Sequence, residues 1–322
     1  MKAFVYHAYG GPEKLKLVDL PKPSPSADQV LIKIKATSIN LSDWETLQGA
    51  PLYSRIGGLR EPATPILGSD VAGIVEAVGA DVRRFKPGDR IFGDILGVKG
   101  GFAEYVAAPA GWCQKMPQWL SFEEAAALPQ AVAIAHKGIC ITGNLQPGQH
   151  VLINGAGGGS GSFAIQWAKH RGGTVTAVDS AGKLDFMRQL GADHVIDYQT
   201  TDFTRTGSRY DLIIDMVAYR SPFAYLRALA PKGACYIVGG AVPHLLQALA
   251  LGPILKFLRG RKVSMLFVNQ PDHGAIDAIL PLIWRKKIRA VIDKTFPFDA
   301  IPEAIKYHGT GKGKGKVIIQ FD

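Results

Sequence analysis

The sequence predicts a two-domain α/β protein, an irregular β-rich domain joined to a doubly wound parallel sheet. Three observations predict it. Residues 1 to about 116 hold short β-rich runs, such as AFVYHAY, QVLIKIKATSI and VAGIVEAVG, separated by Pro, Gly and Asp turns. From about residue 117, apolar strands alternate with amphipathic helices, the pattern of a parallel sheet covered on both faces. Near the end, VIDKTFPF, IPEAIKYHG and KGKVIIQFD return to the first rhythm. Residues 1–116, completed by 288–322, are therefore expected to form one domain and 117–287 the other. A chain of 322 residues suits two cores better than one.

Element by element, Pro21, Pro23 and Pro25 stiffen an early connector. Ser121, with Glu124 three residues on, has the spacing of a capping box and predicts a helix start. The strand HVLING is followed by the helix SFAIQWAKH, and the strand TVTAVD by the helix KLDFMRQLG. HVIDY, YDLIIDMV and GACYIVGG continue the strands, with a helix around PFAYLRAL. A helix near LLQALAL and a last strand, KVSMLFVN, complete the series. HLLQALALGPILKFL, residues 244–258, is strongly apolar and is followed by Arg-Gly-Arg-Lys. Pro253 and Lys256 interrupt it, and it is too short to span a bilayer. A buried or interface helix is expected there, with a peripheral membrane helix as the alternative.

Lys and Arg outnumber Asp and Glu by 37 to 27, a net charge of +10. The basic residues are dispersed, with small clusters at Arg259-Gly-Arg261-Lys262, at 285–287 and around Lys312, Lys314 and Lys316. No zinc knuckle or RNP-type aromatic motif accompanies them, so nucleic acid is not the expected partner. Solvated surface charge and an anionic cofactor account for the balance. Cys113, Cys140 and Cys235 are too widely spaced for a CxxC pair or a metal set and read as reduced thiols. The opening MKAFVYHAYG lacks a signal-type apolar region and reads as an edge strand, so a cytoplasmic protein is expected.

The stretch VLINGAGGGSG, residues 151–161, carries the most chemistry. It follows the first strand of the βα series and opens a helix, the context of a phosphate-binding turn. The spacing is Gly155-x-x-Gly158-x-x-Gly161, with Gly157 and Gly159 as extra glycines and Ser160 between. Glycines let the backbone approach a pyrophosphate, and the N–H groups opening the helix face the anion. A dinucleotide is expected here. Asp179 ends the second strand, 18 residues beyond Gly161, where an acid accepts bonds from ribose hydroxyls and favours NAD. Ser180 and Lys183 follow at once, and both suit a 2′-phosphate, so the signal for NAD against NADP is mixed. Tyr198 ends the third strand and is positioned to flank the adenine. Val238, Gly239 and Gly240 end the fifth strand, at the carboxyl edge where a nicotinamide carboxamide would meet backbone groups.

GSDVAGIVEAVGADVRRFKPGDRIFGD, GGFAEYVAAP and SFEEAAALP, with LGADHVIDY, LAPKGACYIVGG and the closing GKGKVII, resemble the medium-chain dehydrogenase/reductase superfamily. The resemblance covers almost the whole chain and is closest to the zinc-independent quinone oxidoreductase-like branch, which includes alkenal reductases and reticulon-interacting-protein-like enzymes. It implies a GroES-like catalytic domain, a Rossmann cofactor domain and a homodimer built across edge strands, here Lys262 to Asn269.

Zinc alcohol dehydrogenases place a cysteine where this sequence has Asn40, a histidine at Ser69, and a third ligand near Gln130. These positions offer no zinc donor set, so no zinc is expected. Asn40 and Asp43 match the NxxD of the zinc-free branch. Asn40 is a candidate to bond the substrate carbonyl or nicotinamide ribose, or is a turn residue. Asp43 is expected to organise its loop. Tyr53 is the one nearby hydroxyl able to donate a proton.

Trp44, Ile134 and Phe267 are candidate pocket residues, with a core position the alternative for Trp44 as for Tyr53, and with Ile134 standing where the family often has threonine. Asn269 joins Phe267 beside the cofactor. His136 and Lys137 read as surface charges or as pocket-edge contacts. The expected activity is hydride transfer from NADPH, with NADH possible, to a quinone or α,β-unsaturated carbonyl, since such acceptors need no Lewis acid. An NAD-linked alcohol dehydrogenase and an NADP(H)-binding scaffold with little turnover are the alternatives.

Overall fold

The computed structural model describes residues 1–56, 58–268 and 271–322. Its contacts divide the chain into two units, the first formed by Met1–Gln130 with Ala290–Asp322 and the second by most of the residues between.

The first unit runs through β1 (Lys2–Val5), β2 (Lys16–Asp19), β3 (Gln29–Ile39), α1 (Leu41–Gln48), β4 (Asp70–Val78), β5 (Arg90–Asp94), β6 (Tyr105–Pro109), β7 (Cys113–Lys115) and α2 (Phe122–Ala126). The helix α3 (Pro129–His136) crosses the division. The second unit continues with β8 (His150–Asn154), α4 (Gly159–His170), β9 (Thr174–Asp179), α5 (Leu184–Gln189), β10 (His194–Asp197) and β11 (Tyr210–Asp215). Then come α6 (Pro222–Ala228), β12 (Leu229–Ile237), α7 (Val242–Arg259), β13 (Lys262–Met265) and α8 (His273–Trp284). The chain returns to the first unit with β14 (Ile292–Pro297), α9 (Ile301–Gly309) and β15 (Lys316–Gln320).

The first unit's main sheet has the order β14-β15-β3-β4-β5-β7, with β6 also on β3. β3 explains how the tail is recruited. One side of this strand pairs with β4, while on the other β6 takes residues 29–33 and β15 takes 36–39. Val30, Ile32 and Ile34 alternate inward with Val71, Val75, Val317 and Ile319, and α9 adds Ile301 and Ile305 to that core. β14 and β15 are parallel, and the other pairings are antiparallel.

The second unit's sheet has the order β10-β9-β8-β11-β12-β13, all parallel. Its central strands are apolar on both faces: Val151, Leu152 and Ile153 are fully buried, as are Ile213 and Ile214. Strand order reverses between β8 and β11, the topological switch point at which such sheets bind ligands.

Three expectations need correction. Residues 117–130 join the first unit instead of opening the second, because α2 packs on β3, β4, β5 and β15. The capping box does start that helix: Ser121 Oγ accepts from Glu124 N at 3.1 Å and Glu124 returns the bond at 3.2 Å. α7 passes through Pro253 and runs 18 residues, since Leu245, Ala248, Gly252 and Leu255 hold one face against its neighbours. Its opposite face is open to solvent, which fits an interface or peripheral helix and not a fully buried one. The last parallel strand ends at Met265, so Phe267 lies beyond it, 69% exposed.

Candidate functional site

The glycine turn leaves β8 at the switch point. Asn154 Nδ2 donates to Asp215 Oδ1 at 2.9 Å, tying the carboxyl ends of β8 and β11 together. Tyr225 and the Val217 N–H also bond Asp215, whose carboxyl is nevertheless pushed up, chiefly by burial. Gly155 adopts φ +77°, a left-handed conformation that favours glycine. Its N–H and that of Ala156 both donate to the Val178 carbonyl. A Cβ on Gly161 would lie 2.3 Å from the Gly155 carbonyl oxygen and 2.6 Å from Ala156 Cα, so this glycine sets how closely α4 approaches β8. Gly158 caps α4, and Gly159 and Ser160, in its first turn, are half-buried. Their N–H groups precede any intrahelical acceptor and suit an anion. The turn fits a dinucleotide pyrophosphate.

Asp179 faces back into this turn. It accepts from Gly157 N at 2.9 Å and Ser180 N at 2.8 Å, and Lys183 Nζ lies 3.3 Å away. Asp179 is 8% exposed and Lys183 only 6%, so this lysine is folded inward. The reason is steric as well as ionic: a Cβ on Gly157 would meet the Lys183 stem at 2.5 Å. Tyr198 N donates to the Asp179 carbonyl, and its ring is exposed beside the strand end. Val238 N donates to the Asp215 carbonyl, and Gly239 O accepts from Ala218 N. Gly240, at φ +145°, leaves no room for a Cβ beside the Ala218 carbonyl, 2.0 Å away. These segments stand at the sheet's carboxyl edge. Asn269 lies outside the described residues. Ile134 is half-buried on α3, and the His136 ring packs on Trp167 at 4.8 Å.

In the first unit, NxxD works as a helix start. Asp43 Oδ2 accepts the Asn40 N–H at 2.9 Å, and Oδ1 accepts Gly68 N at 3.0 Å, pinning α1 to the segment that leads into β4. Burial pushes the Asp43 carboxyl up to about 6 against these two bonds. The Asn40 side chain points elsewhere. Its Nδ2 donates to Ser69 Oγ at 3.1 Å and Asp70 Oδ2 at 2.9 Å, while Oδ1 accepts from Lys316 Nζ at 2.6 Å. Both amide hydrogens are therefore committed, which corrects the expectation of an Asn40 donor free for substrate.

Asp70 is the hub. It also accepts from Ser38 Oγ and from Gln130 N, and lies 3.2 Å from Lys316 Nζ. Asn40, Ser69 and Gln130 thus converge, but on Asp70 and a buried ammonium. A metal cation there would face the Lys316 charge. Among the described residues, no three His, Cys, Asp or Glu side chains gather to hold a metal. Asp94 adds a further carboxyl, pushed up by burial and then by Asp70's charge; its Oδ2 has no hydrogen-bond partner among the described residues.

Tyr53 donates to Glu45 at 3.2 Å, and burial with that carboxylate pushes the phenol up to about 12. Trp44 packs with the core, its ring against Gly309. Sequence reasoning did not single out Glu45, Asp70, Asp94 or Lys316 as site residues. An acid inside LGSDVAG and a lysine opening the apolar run KVII were the available signals.

Two family models match the chain: the alcohol dehydrogenase GroES-like domain over residues 26–118 and the zinc-binding dehydrogenase over residues 190–319. A tomato (Solanum lycopersicum) 2-methylene-furan-3-one reductase is 34% identical over 99% of this chain and 79% of its own. A chloroplastic NADPH-dependent alkenal/one oxidoreductase of Arabidopsis thaliana is 31% identical with the same coverage. The solved quinone oxidoreductase of Coxiella burnetii superposes with a TM-score of 0.89 at 29% identity, over 99% of both chains. The chain belongs to the medium-chain dehydrogenase/reductase superfamily. Within it, the chain is similar to quinone and alkenal oxidoreductases.

Proposed function

We propose that this protein is an NADPH-dependent, zinc-independent reductase of quinones or α,β-unsaturated carbonyls. The observation that carries the reading is the Asn40–Asp70–Lys316 network, which stands where the family's zinc enzymes gather their ligands. With no donor set for a Lewis acid, the acceptor must itself delocalise the incoming charge, as quinones and enones do. When bound, NADPH supplies the hydride, and one proton completes reduction of the enone C=C bond or of the quinone. The chain's own residues hold and position. Gly155, Gly158 and Gly161 with the start of α4 take the pyrophosphate, and the Tyr198 ring flanks the adenine. Tyr53, kept protonated across neutral pH beside Glu45, is the proton source we favour.

NADP(H) is favoured because the Asp179 oxygens are occupied by Gly157, Ser180 and Lys183. The charge that would repel a 2′-phosphate is thereby balanced. A homodimer through β13 is also proposed, as this strand pairs only with β12 among the described residues and leaves an edge open. Steady-state consumption of NADPH with benzoquinones and enones, set against NADP⁺ reduction by simple alcohols, tests the activity. Turnover with the conjugated acceptors is expected. Alcohol oxidation alone would overturn the reading.

A further inference from the structure

The second unit carries a one-signed stretch that the proposed reaction does not use. Between Asp215 and Asp272 there is no Asp or Glu, while seven Lys and Arg occur. α7 lies within it and buries Leu245, Ala248 and Leu255 against β13 and α6. Its other face is apolar and open. Leu246, Leu249, Ile254, Phe257 and Leu258 are all exposed, Phe257 to 89%, and positions 250 and 253 fill the intervals. That spacing of three and four residues makes one unbroken stripe along a helix about 27 Å long.

The cations gather at one end of the stripe. α6 and α7 both run toward the amino edge of the parallel sheet, where they feed β12 and β13. Arg227 and Arg259 end these helices, and Lys232 sits in the irregular start of β12. Lys256 flanks the stripe beside Phe257. None of these four has a carboxylate partner among the described residues, whereas Arg220 is paired with Asp202. The glycine turn opens at the carboxyl edge, so an occupant of the basic end leaves the cofactor turn free.

We propose that α7 seats the protein on an anionic phospholipid bilayer. The helix lies in the interface plane, with its apolar stripe at the headgroup boundary and the cations on lipid phosphates. No described helix is long and apolar enough to cross a membrane, which leaves surface attachment. A second copy of the chain fits this face less well. A two-fold interface sets a patch against itself, and here neither copy's stretch holds an acid to pair the other's cations. The inference does not depend on the proposed reaction.

The test is co-sedimentation of the full chain with vesicles of mixed phosphatidylglycerol and phosphatidylcholine, and with phosphatidylcholine alone. Binding to the anionic vesicles is expected, with loss at about 1 M salt, where the Debye length is about 3 Å. Arg259→Glu should weaken it at least about fivefold. Phe257→Ser with Leu258→Ser should weaken it further, with unchanged circular dichroism and NADPH binding, since both side chains face solvent. No binding of the wild type to anionic vesicles at low salt overturns the proposal. Binding that none of these substitutions alters does the same. Dissociation of a wild-type oligomer by the Phe257/Leu258 variant, without vesicle binding, assigns the face to a second copy instead.

Discussion

Lys183 lies 3.3 Å from Asp179 in the second unit, and Lys316 lies 3.2 Å from Asp70 in the first. Both lysines are nearly inaccessible, at 6% and 3% exposure, yet their surroundings differ. Around Lys183 the charges balance one to one, and the carboxylate also holds the Gly157 N–H of the turn it faces and the N–H of its neighbour Ser180. Lys316 belongs to an interior with three buried carboxyls, Asp43, Asp70 and Asp94, in which the Asp70 charge raises both of the others and Asp43 also raises Asp94. The first pair is a local clip on a ligand turn. The second is the counter-charge for an acid-rich interior, and such a charge is costly to remove.

The largest effect follows from that difference. Lys316→Met should destabilise the protein by about 3 to 5 kcal/mol in urea unfolding, because Asp70 is left buried and unpaired. Adding Asp70→Asn should recover part of the loss, since the amide carries no charge. Lys183→Met should cost clearly less. Equal costs for the two lysines would dissolve the distinction.

The acid-rich interior also sets the pH response. The Asp43 carboxyl rises from 3.8 to about 6 on folding, so the folded chain holds a proton that the unfolded chain releases. Stability from this group is fully present below about pH 4 and is lost as pH rises through about 6, at about 1.4 kcal/mol per unit. Asp94 acts in the same direction. Unfolding at a series of pH values should reveal this decline in the wild type and a flatter profile in Asp43→Asn. That variant also starts lower by about 1 to 3 kcal/mol, because one of the two N–H groups on Asp43 then meets an amide NH₂. An unchanged slope in Asp43→Asn would remove the acid cluster from the account.

In the cofactor turn, shape should matter more than charge. Gly161→Ala places a methyl 2.3 Å from a backbone oxygen and should cost about 1 to 3 kcal/mol, with NADPH affinity down at least about tenfold. Gly158→Ala meets nothing closer than 3.5 Å and should be tolerated. Calorimetric titration with NADPH checks both. If the two alanines behave alike, the close approach of α4 to β8 is not what the third glycine secures.

The same contrast explains what the sequence disclosed. β8, the turn and α4 are contiguous, so period, spacing and context all bear on one short stretch, and its geometry was legible. Asp70 and Lys316 are 246 residues apart and meet only because β15 pairs with the second half of β3. In the sequence, Lys316 merges with Lys312 and Lys314 as one charged tail; in the fold it opens a strand whose next three residues are buried. NxxD was visible, but its spacing serves two purposes, a helix cap and a polar network, and only the side-chain directions separate them. The domain boundary was missed because α2 has the same helical pattern whether it covers one sheet or the other.

The smallest predicted effect concerns the cofactor's phosphate. Asp179 at a strand end reads as a ribose acid, and Lys183 four residues later reads as a phosphate base. Folded together, neither side chain is free for its separate role. Lys183→Ala should release the Asp179 carboxylate toward solvent, where it can accept ribose hydroxyls and repel a 2′-phosphate. The ratio of NADPH to NADH dissociation constants should then rise about tenfold, close to 1.4 kcal/mol. Asp179→Asn should move the ratio the opposite way, because it leaves Lys183 unopposed near the site. If both variants shift the ratio in the same direction, the pair acts only by shaping the turn at Gly157. Phosphate discrimination would then rest on other residues at the carboxyl edge, with Ser180 the first to substitute.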